Sequence, residues 1–331
     1  MANGERVPIV AALALLFTVL GSRAASSQQA EPALPELAVR LAGMTAVTGF
    51  EQPVLDTLRA LIPGASRDRA GNAVLVLGGG ARRRLVACPV SEPGFVVGSV
   101  RDDGWLTLRR APGRVPPGSD AQVQGQQVSV FTRARTIPGV VAVRSVHLTR
   151  GRGLTGQDAF TVDSGYVDIG AASAAEVAAA GVAVTDPLAI AKRPQRYGAD
   201  LVAAPVAGRR TACAALVLAA RRAVAEQGMV PRGESVTVAF VAEQELGIRG
   251  LATLASTRGP FAETVLVDGG EGVPGAVARA PDSLGMRIPA LGSVSRWTLG
   301  ARYAGTPVET TSFTGADSLR EALVRWIGAA R

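Results

Sequence analysis

One histidine, two cysteines and a scatter of carboxylates limit the chemistry open to this chain. His147 is the sole histidine among 331 residues. A Ser-His-Asp relay would have to run through it, with Ser145 or Thr149 as the neighbouring hydroxyl. Its isolation argues for a structural or surface role instead. Cys88 and Cys213 are the only cysteines, so no Cys/His zinc cluster can assemble. The plainer reading of the pair is two buried thiols, although export to an oxidising compartment would allow them to join. Asp163 and Asp168 stand on either side of Gly165, where turn chemistry accounts for both. Arg82-Arg83-Arg84 reads as a solvated hairpin turn rather than an anion patch. Gly78-Gly79-Gly80 lacks the Lys-Ser/Thr pair that would make it a phosphate loop.

The elements that must position such residues follow from the apolar pattern. The chain is 47% hydrophobic and 19% charged, with 39 Gly and 20 Pro, which is ample for a packed core and excludes disorder. Val54, Leu55, Leu58, Leu61 and Ile62 share one face of a helix over residues 53–62, stopped by Pro63-Gly64. Ala73 to Leu77 and Leu85 to Cys88 read as strands. From Gly94 to about Asp168, short Val- and Thr-rich runs alternate with Gly, Pro and Asp turns: residues 95–100, 105–108, 127–132, 139–143 and 160–163. That texture predicts a small β domain inserted in the chain. Ser173 and Glu176 form a capping box for a helix around Val177 to Ala180. Helix (Thr211 to Ala225), strand (Val236–Val241), helix (Gly250–Ala255) and strand (Thr264–Val267) then alternate. A last amphipathic helix carries Leu319, Leu323, Trp326 and Ile327, with Thr314 to Asp317 as its cap. Residues after Gly285 have the weakest pattern. The fold class is α/β, a mixed sheet covered by helices on both faces, with an inserted all-β barrel.

Arg6, an apolar run from Ile9 to Leu20 and the small residues around Ala24 form a signal-peptide pattern over residues 1–25. The run is short for a membrane span, so the expectation is an exported chain, periplasmic or secreted, with no stable span after cleavage. The net charge is +8, and of 35 basic residues only Lys192 is lysine. With abundant Ala, Val and Gly, that skew reads as a coding bias. No nucleic-acid module is present, and at 4% aromatics few rings are available to stack bases.

Seven segments in order resemble the tetrahedral aminopeptidase family, which includes deblocking and glutamyl aminopeptidases. They are Thr48-Gly49-Phe50-Glu51, Asp68-Arg69-Ala70-Gly71-Asn72, Glu92-Pro93-Gly94-Phe95, Gly139-Val140-Val141 with His147-Leu148, Val167-Asp168-Ile169-Gly170-Ala171, Glu243-Gln244-Glu245-Leu246-Gly247, and Thr314-Gly315-Ala316-Asp317. The resemblance spans roughly residues 40 to 320. It implies a zinc-peptidase-like α/β domain over 31–92 and 171–331, with the β domain inserted at 93–170. It also implies a hydrolase with two divalent metals, zinc or cobalt, that removes N-terminal residues from peptides, and a homo-oligomer.

Carried over residue by residue, that site is incomplete. The family's first histidine falls on Pro89, and its bridging aspartate on Gly208. No carboxylate lies between Leu201 and Ala225, so a shifted alignment does not restore it. Gln244 stands at the general-base position, where an amide cannot take the proton from a metal-bound water. Glu245 and Asp268 match two retained ligand positions. The final histidine of the family lies past Arg331. Arg209 and Arg210, beside the vacated bridging position, would neutralise Glu245 and Asp268 in place of the metals. The expectation is a non-catalytic exported homologue without a cofactor, which binds peptides or self-assembles. The alternatives are an active zinc- or cobalt-dependent aminopeptidase whose site is incompletely represented, and a basic envelope scaffold or binding protein.

Overall fold

Long apolar strands alternating with helices need cover on both sheet faces, and the chain supplies it from two separate sets of helices. The computed structural model describes residues 32–113, 118–142 and 160–329, together with Met1. The expected leader and its cleavage after Ala24 lie outside the described residues, as do His147, Ser145, Thr149 and Arg331.

Before the barrel come helices α1 (Leu34–Ala42) and α2 (Gln52–Leu61) and strands β1 (Ser66–Arg67), β2 (Ala73–Gly78) and β3 (Arg82–Pro89). Next are β4 (Phe95–Val100), β5 (Leu106–Arg110), β6 (Gln127–Phe131), β7 (Thr136–Val141), β8 (Tyr166–Asp168), α3 (Ala174–Ala179) and β9 (Pro187–Ile190). The chain continues through β10 (Gln195–Tyr197), β11 (Leu201–Ala203), α4 (Ala207–Ala225), β12 (Glu234–Val241), α5 (Arg249–Arg258) and β13 (Glu263–Glu271). It closes with β14 (Val277–Pro281), α6 (Leu284–Arg287), β15 (Ser293–Arg302), β16 (Thr310–Ser312) and α7 (Phe313–Gly328).

Among the described residues the sheet runs β1-β2-β12-β3-β13-β15-β16-β11-β10, with β14 paired to β15. Its centre, β12-β3-β13-β15, is parallel and its flanks are antiparallel. Strands β2 and β3 are therefore not a hairpin, because β12 pairs between them. One face packs on α1, α2, α4 and α7 through Leu37, Leu58, Leu216 and Leu323; the other packs on α5 and α6 through Leu254 and Leu284. Helix α4 is buried almost all round, as a helix between the sheet and an outer helix layer must be. No helix among the described residues is long and apolar enough to cross a membrane.

Strands β4-β5-β8-β7-β6-β9 close into a barrel. Alternate side chains, Val97, Leu106, Leu108, Val128, Val130 and Val167, fill it, and closure removes the free edges that short strands would expose. The closing strand β9 lies past residue 170, where the sequence pattern placed the exit. Leu188 on β9 is fully buried and pairs with both Phe95 and Val130.

Three local expectations change. Residues 160–163 do not form a strand: the hydroxyls of Thr161 and Ser164 cap a short 3-10 turn, and the strand is Tyr166–Asp168. Helix α7 is capped by Ser312, whose Oγ accepts from Gly315 N at 3.0 Å, while Thr314 sits inside the first turn. The arginine run is only partly solvated. Arg82 and Arg83 are exposed, but Arg84 is completely buried. Its Nε lies 2.6 Å from Glu234 Oε2, and its Nη1 and Nη2 donate to the carbonyls of Trp326 (2.6 Å) and Ile327 (3.0 Å). Those carbonyls belong to the last turn of α7 and have no partner within the helix. Arg84 thus anchors the C-terminal helix on the sheet and also stacks 4.7 Å from the centre of the Trp326 ring.

Arg84→Met takes the buried guanidinium away from Glu234 and leaves the exposed Arg82 3.4 Å from it. Urea unfolding should show a loss of about 3 kcal/mol, the usual result of stranding a buried charge. Adding Glu234→Gln should recover part of that loss. A cost below about 1 kcal/mol, the level of an exposed pair, would show that α7 is held by its apolar face alone.

Candidate functional site

In a sheet with a parallel centre, groups that act on a ligand gather at the carboxyl ends of the strands. Here that edge receives Asp268 from β13, Glu245 from the turn after β12, residues 89–92 from the exit of β3, and Arg209 with Arg210 from the start of α4.

Arg209 occupies the middle. Its Nε donates to Asp268 Oδ1 at 2.8 Å and its Nη2 to Asp268 Oδ2 at 3.2 Å, a two-pronged pair. Nη1 donates to the Ser91 carbonyl and stands 3.9 Å from Glu245 Oε1. Asp268 is 7% exposed. It also accepts from Gly269 N, and Arg296 approaches it at 3.7 Å. Burial disfavours the Arg209 charge, but Asp268 and then Glu245 and Glu309 outweigh it, so its guanidinium holds its proton more tightly than usual. The backbone of Gly113, on the connection after β5, lies against Glu245: a Cβ there would stand 3.4 Å from Glu245 Cβ and Cγ.

Arg210 does not join this group. Fully buried, it donates to the Val90 carbonyl (2.6 Å) and to Glu92 Oε2 (2.7 Å). The expected pair of compensating arginines therefore separates onto two carboxylate centres. Glu92 also accepts from Ala46 N (2.9 Å) and from Lys192 Nζ. Burial opposes its charge, yet Lys192 and Arg210 hold its carboxyl below the usual range.

Pro89 ends β3, beside Val241 of β12. The β3–β13 ladder stops at Ala87, so the missing N–H costs no ladder bond there. Gly208 sits at a close approach: a Cβ on it would lie 3.1 Å from both Gly269 Cα and Glu309 Oε1 and would press on both. Glu309 seats its carboxylate on the start of α4, accepting from Gly208 N (2.8 Å) and Gly305 N (2.9 Å). Burial pushes this carboxyl up in spite of those bonds.

The turn carrying Gln244 and Glu245 is strained and tightly held. Glu243 and Ile248 have left-handed backbones, with φ of 53° and 56°, and so does the β-branched Val206 ahead of α4, at 52°. Gln244 N donates to Ser91 Oγ at 3.0 Å. Ser91 in turn donates to Glu51 Oε1 at 2.6 Å, and Glu51 also accepts from Glu243 N and Gly49 N. The sequence motifs mark Glu51 and Glu92 as landmarks, and they mark Ser91 as the residue standing where the family has an aspartate two positions after its first histidine. Glu309 carries no such signal. Lys192 had one, as the only lysine.

Cys88 and Cys213 form a disulfide, against the expectation of two free thiols. The exit of β3 and the second turn of α4 bring them together. The link closes 125 residues of chain and ties the segment bearing Pro89, Ser91 and Glu92 to the helix bearing Arg209 and Arg210.

The sequence profile described as M42 glutamyl aminopeptidase matches residues 71–270. The putative aminopeptidase SgcX of Escherichia coli is 28% identical over 181 residues, 52% of this chain and 46% of that protein. The lysyl aminopeptidase of Pyrococcus furiosus is 25% identical over 244 residues, 74% of this chain and 65% of that protein. This chain therefore aligns with about half to two thirds of the length of these relatives. The solved TET1 peptidase of Pyrococcus horikoshii superposes with a TM-score of 0.78 at 17% identity, covering 90% of this chain and all of that one.

The Arg209–Asp268 pair yields a direct stability test. Arg209→Ala should cost about 3 kcal/mol in urea unfolding, because Asp268 is left buried beside Arg296 alone. The double variant Arg209→Ala/Asp268→Asn should be more stable than Arg209→Ala. If the two substitutions simply add, the pair does not organise the site.

Proposed function

This chain belongs to the M42 glutamyl aminopeptidase family, and from that membership we propose that it is an exported relative that keeps the aminopeptidase fold without hydrolysing peptides. The observation that carries the reading is the guanidinium of Arg209, held two-pronged on Asp268 and 3.9 Å from Glu245. A pair of divalent metals needs anionic and neutral donors that converge. The two retained carboxylates instead face a fixed cation. Among the described residues no three His, Cys, Asp or Glu side chains converge as a metal site. Pro89 and Gly208 offer no ligand atom, and Gln244 offers no base. These residues do not fit a metal pair, and no hydrolytic step is assigned through one.

Export is supported by the leader pattern together with the Cys88–Cys213 disulfide, a bond that persists in oxidising compartments. Self-association is supported by the TET1 peptidase, which can assemble into a tetrahedron or a large octahedral shell. The ligand class is peptide, bound without cleavage at the carboxyl edge of the sheet.

Metal analysis and a peptidase assay on one sample test the reading. Protein purified from cells grown with zinc or cobalt should carry substoichiometric metal and release no amino acid from aminoacyl p-nitroanilides. Two metal equivalents per chain, or release that Glu245→Ala abolishes, would overturn it. Light scattering should give a multimer; a plain monomer at micromolar concentration would contradict self-association.

A further inference from the structure

The chain meets nearly every need for a cation with arginine, including the buried pairs Arg84–Glu234 and Arg210–Glu92. Lys192 is the one exception among 35 basic residues. It follows β9, where the chain leaves the barrel. Its side chain turns inward and is only 3% exposed. Nζ donates to the Met44 carbonyl at 2.9 Å and to Glu92 Oε2. A guanidinium can serve as an ion-pair partner, but it does not lose its proton in the physiological range, whereas a desolvated ammonium does. A buried amine is the side chain that can become a nitrogen nucleophile.

The surroundings suit that chemistry. Lys192 and Glu92 line a cavity of about 140 Å³ between the barrel and the start of α4. Its walls include Phe95, Val123, Ile190, Pro205, Val206 and Pro307, and Arg110 and Gly305 at its rim are exposed. Lys192 also borders a second hollow of about 390 Å³ between β6, β7 and residues 191–193. Burial lowers the Lys192 ammonium to about 8; Arg210 adds to that shift, while Glu92 and Glu309 oppose it. Near that pH a large fraction of the amine is neutral beside a carboxylate.

We propose that Lys192 is a covalent capture site for a small apolar aldehyde, held as an imine in the cavity that Lys192 and Glu92 share. The lone pair of neutral Nζ attacks the carbonyl carbon, and the carbonyl electron pair moves to oxygen, which takes a proton from the nitrogen. Glu92 accepts the remaining Nζ proton and returns it to the hydroxyl, which leaves as water while the C=N bond forms. One amine and one aldehyde give one imine and one water, with no oxidant or reductant. The apolar walls favour loss of water, and the cavity admits only a small substituent. This centre is separate from Arg209 and Asp268, so the proposal stands whether or not the chain binds peptides.

A chain with a single lysine makes the test direct, since the only other amine is the N-terminus. The full-length protein is incubated with butanal and cyanoborohydride at pH 8, and the reduced adducts are mapped by peptide mass spectrometry. The expected result is an adduct at Lys192 that forms at least about tenfold faster in the native protein than in the same chain unfolded in guanidinium chloride. An unfolded lysine, with its ordinary pKa near 10.4, holds far less neutral amine at pH 8. The native rate should rise through a midpoint near pH 8. Labelling confined to the N-terminus, or slower at Lys192 in the native protein than in the unfolded chain, would overturn the proposal and leave Lys192 as an ion-pair partner of Glu92.

Discussion

The two-pronged contact of Arg209 with Asp268 is the interaction on which the rest of the site depends. It places a fixed positive charge among carboxylates at the carboxyl edge of the sheet's parallel centre. For the guanidinium to reach there, α4 must begin almost against β13. Gly208 and Gly269 allow that approach, since a Cβ on Gly269 would stand 2.3 Å from Arg209 N. The disulfide between Cys88 and Cys213 fastens the next turn of the helix to the exit of β3. The strained Val206, at φ 52°, is the backbone consequence of starting the helix at that point. Each feature is unremarkable alone, and together they over-determine where one guanidinium sits.

Charge neutralisation then divides into two centres. Arg209 answers Asp268 and Glu245, with Arg296 beyond. Arg210, one residue on, answers Glu92 together with Lys192. Consecutive positions on a helix point about 100° apart, and the two side chains pass to different carboxylates while donating to the neighbouring carbonyls of Ser91 and Val90. Glu309 adds a carboxyl that accepts from Gly208 N at the start of α4 and from Gly305 N on the β15–β16 connection; a helix N-terminus favours negative charge. The barrel enters through two contacts, Gly113 against Glu245 and Lys192 on Glu92. The two centres are thereby coupled to the inserted domain as well as to the sheet.

Much of this was legible in the sequence where a pattern repeats. The period of α2, the apolar strands β3 and β12, and the ordered motifs from Thr48 to Asp317 were enough for the fold class and the family. Glu245, Asp268 and Arg209 were placed by motif matching, and they meet in space. What sequence could not carry were contacts without a period. Nothing in Arg82-Arg83-Arg84 distinguishes the one arginine that passes into the core, because its partners Glu234 and the end of α7 lie far along the chain. The pairing of Cys88 with Cys213 depends on the register of α4 against β3. The 3-10 turn at Val162 arises from two hydroxyls three residues apart, a local bond that outcompetes a weak strand pattern. Strand β9 closes the barrel because Leu188 fills its core, although its composition resembles the helix-rich segment that follows.

We propose that the Arg209 guanidinium stands where the family's reaction would need metal. Crystals grown with zinc, measured for anomalous scattering at the zinc edge, test it most directly. The expected result is no zinc peak between Glu245 and Asp268, with Arg209 density joined to Asp268. A peak at that position, with Arg209 displaced from Asp268, would contradict it.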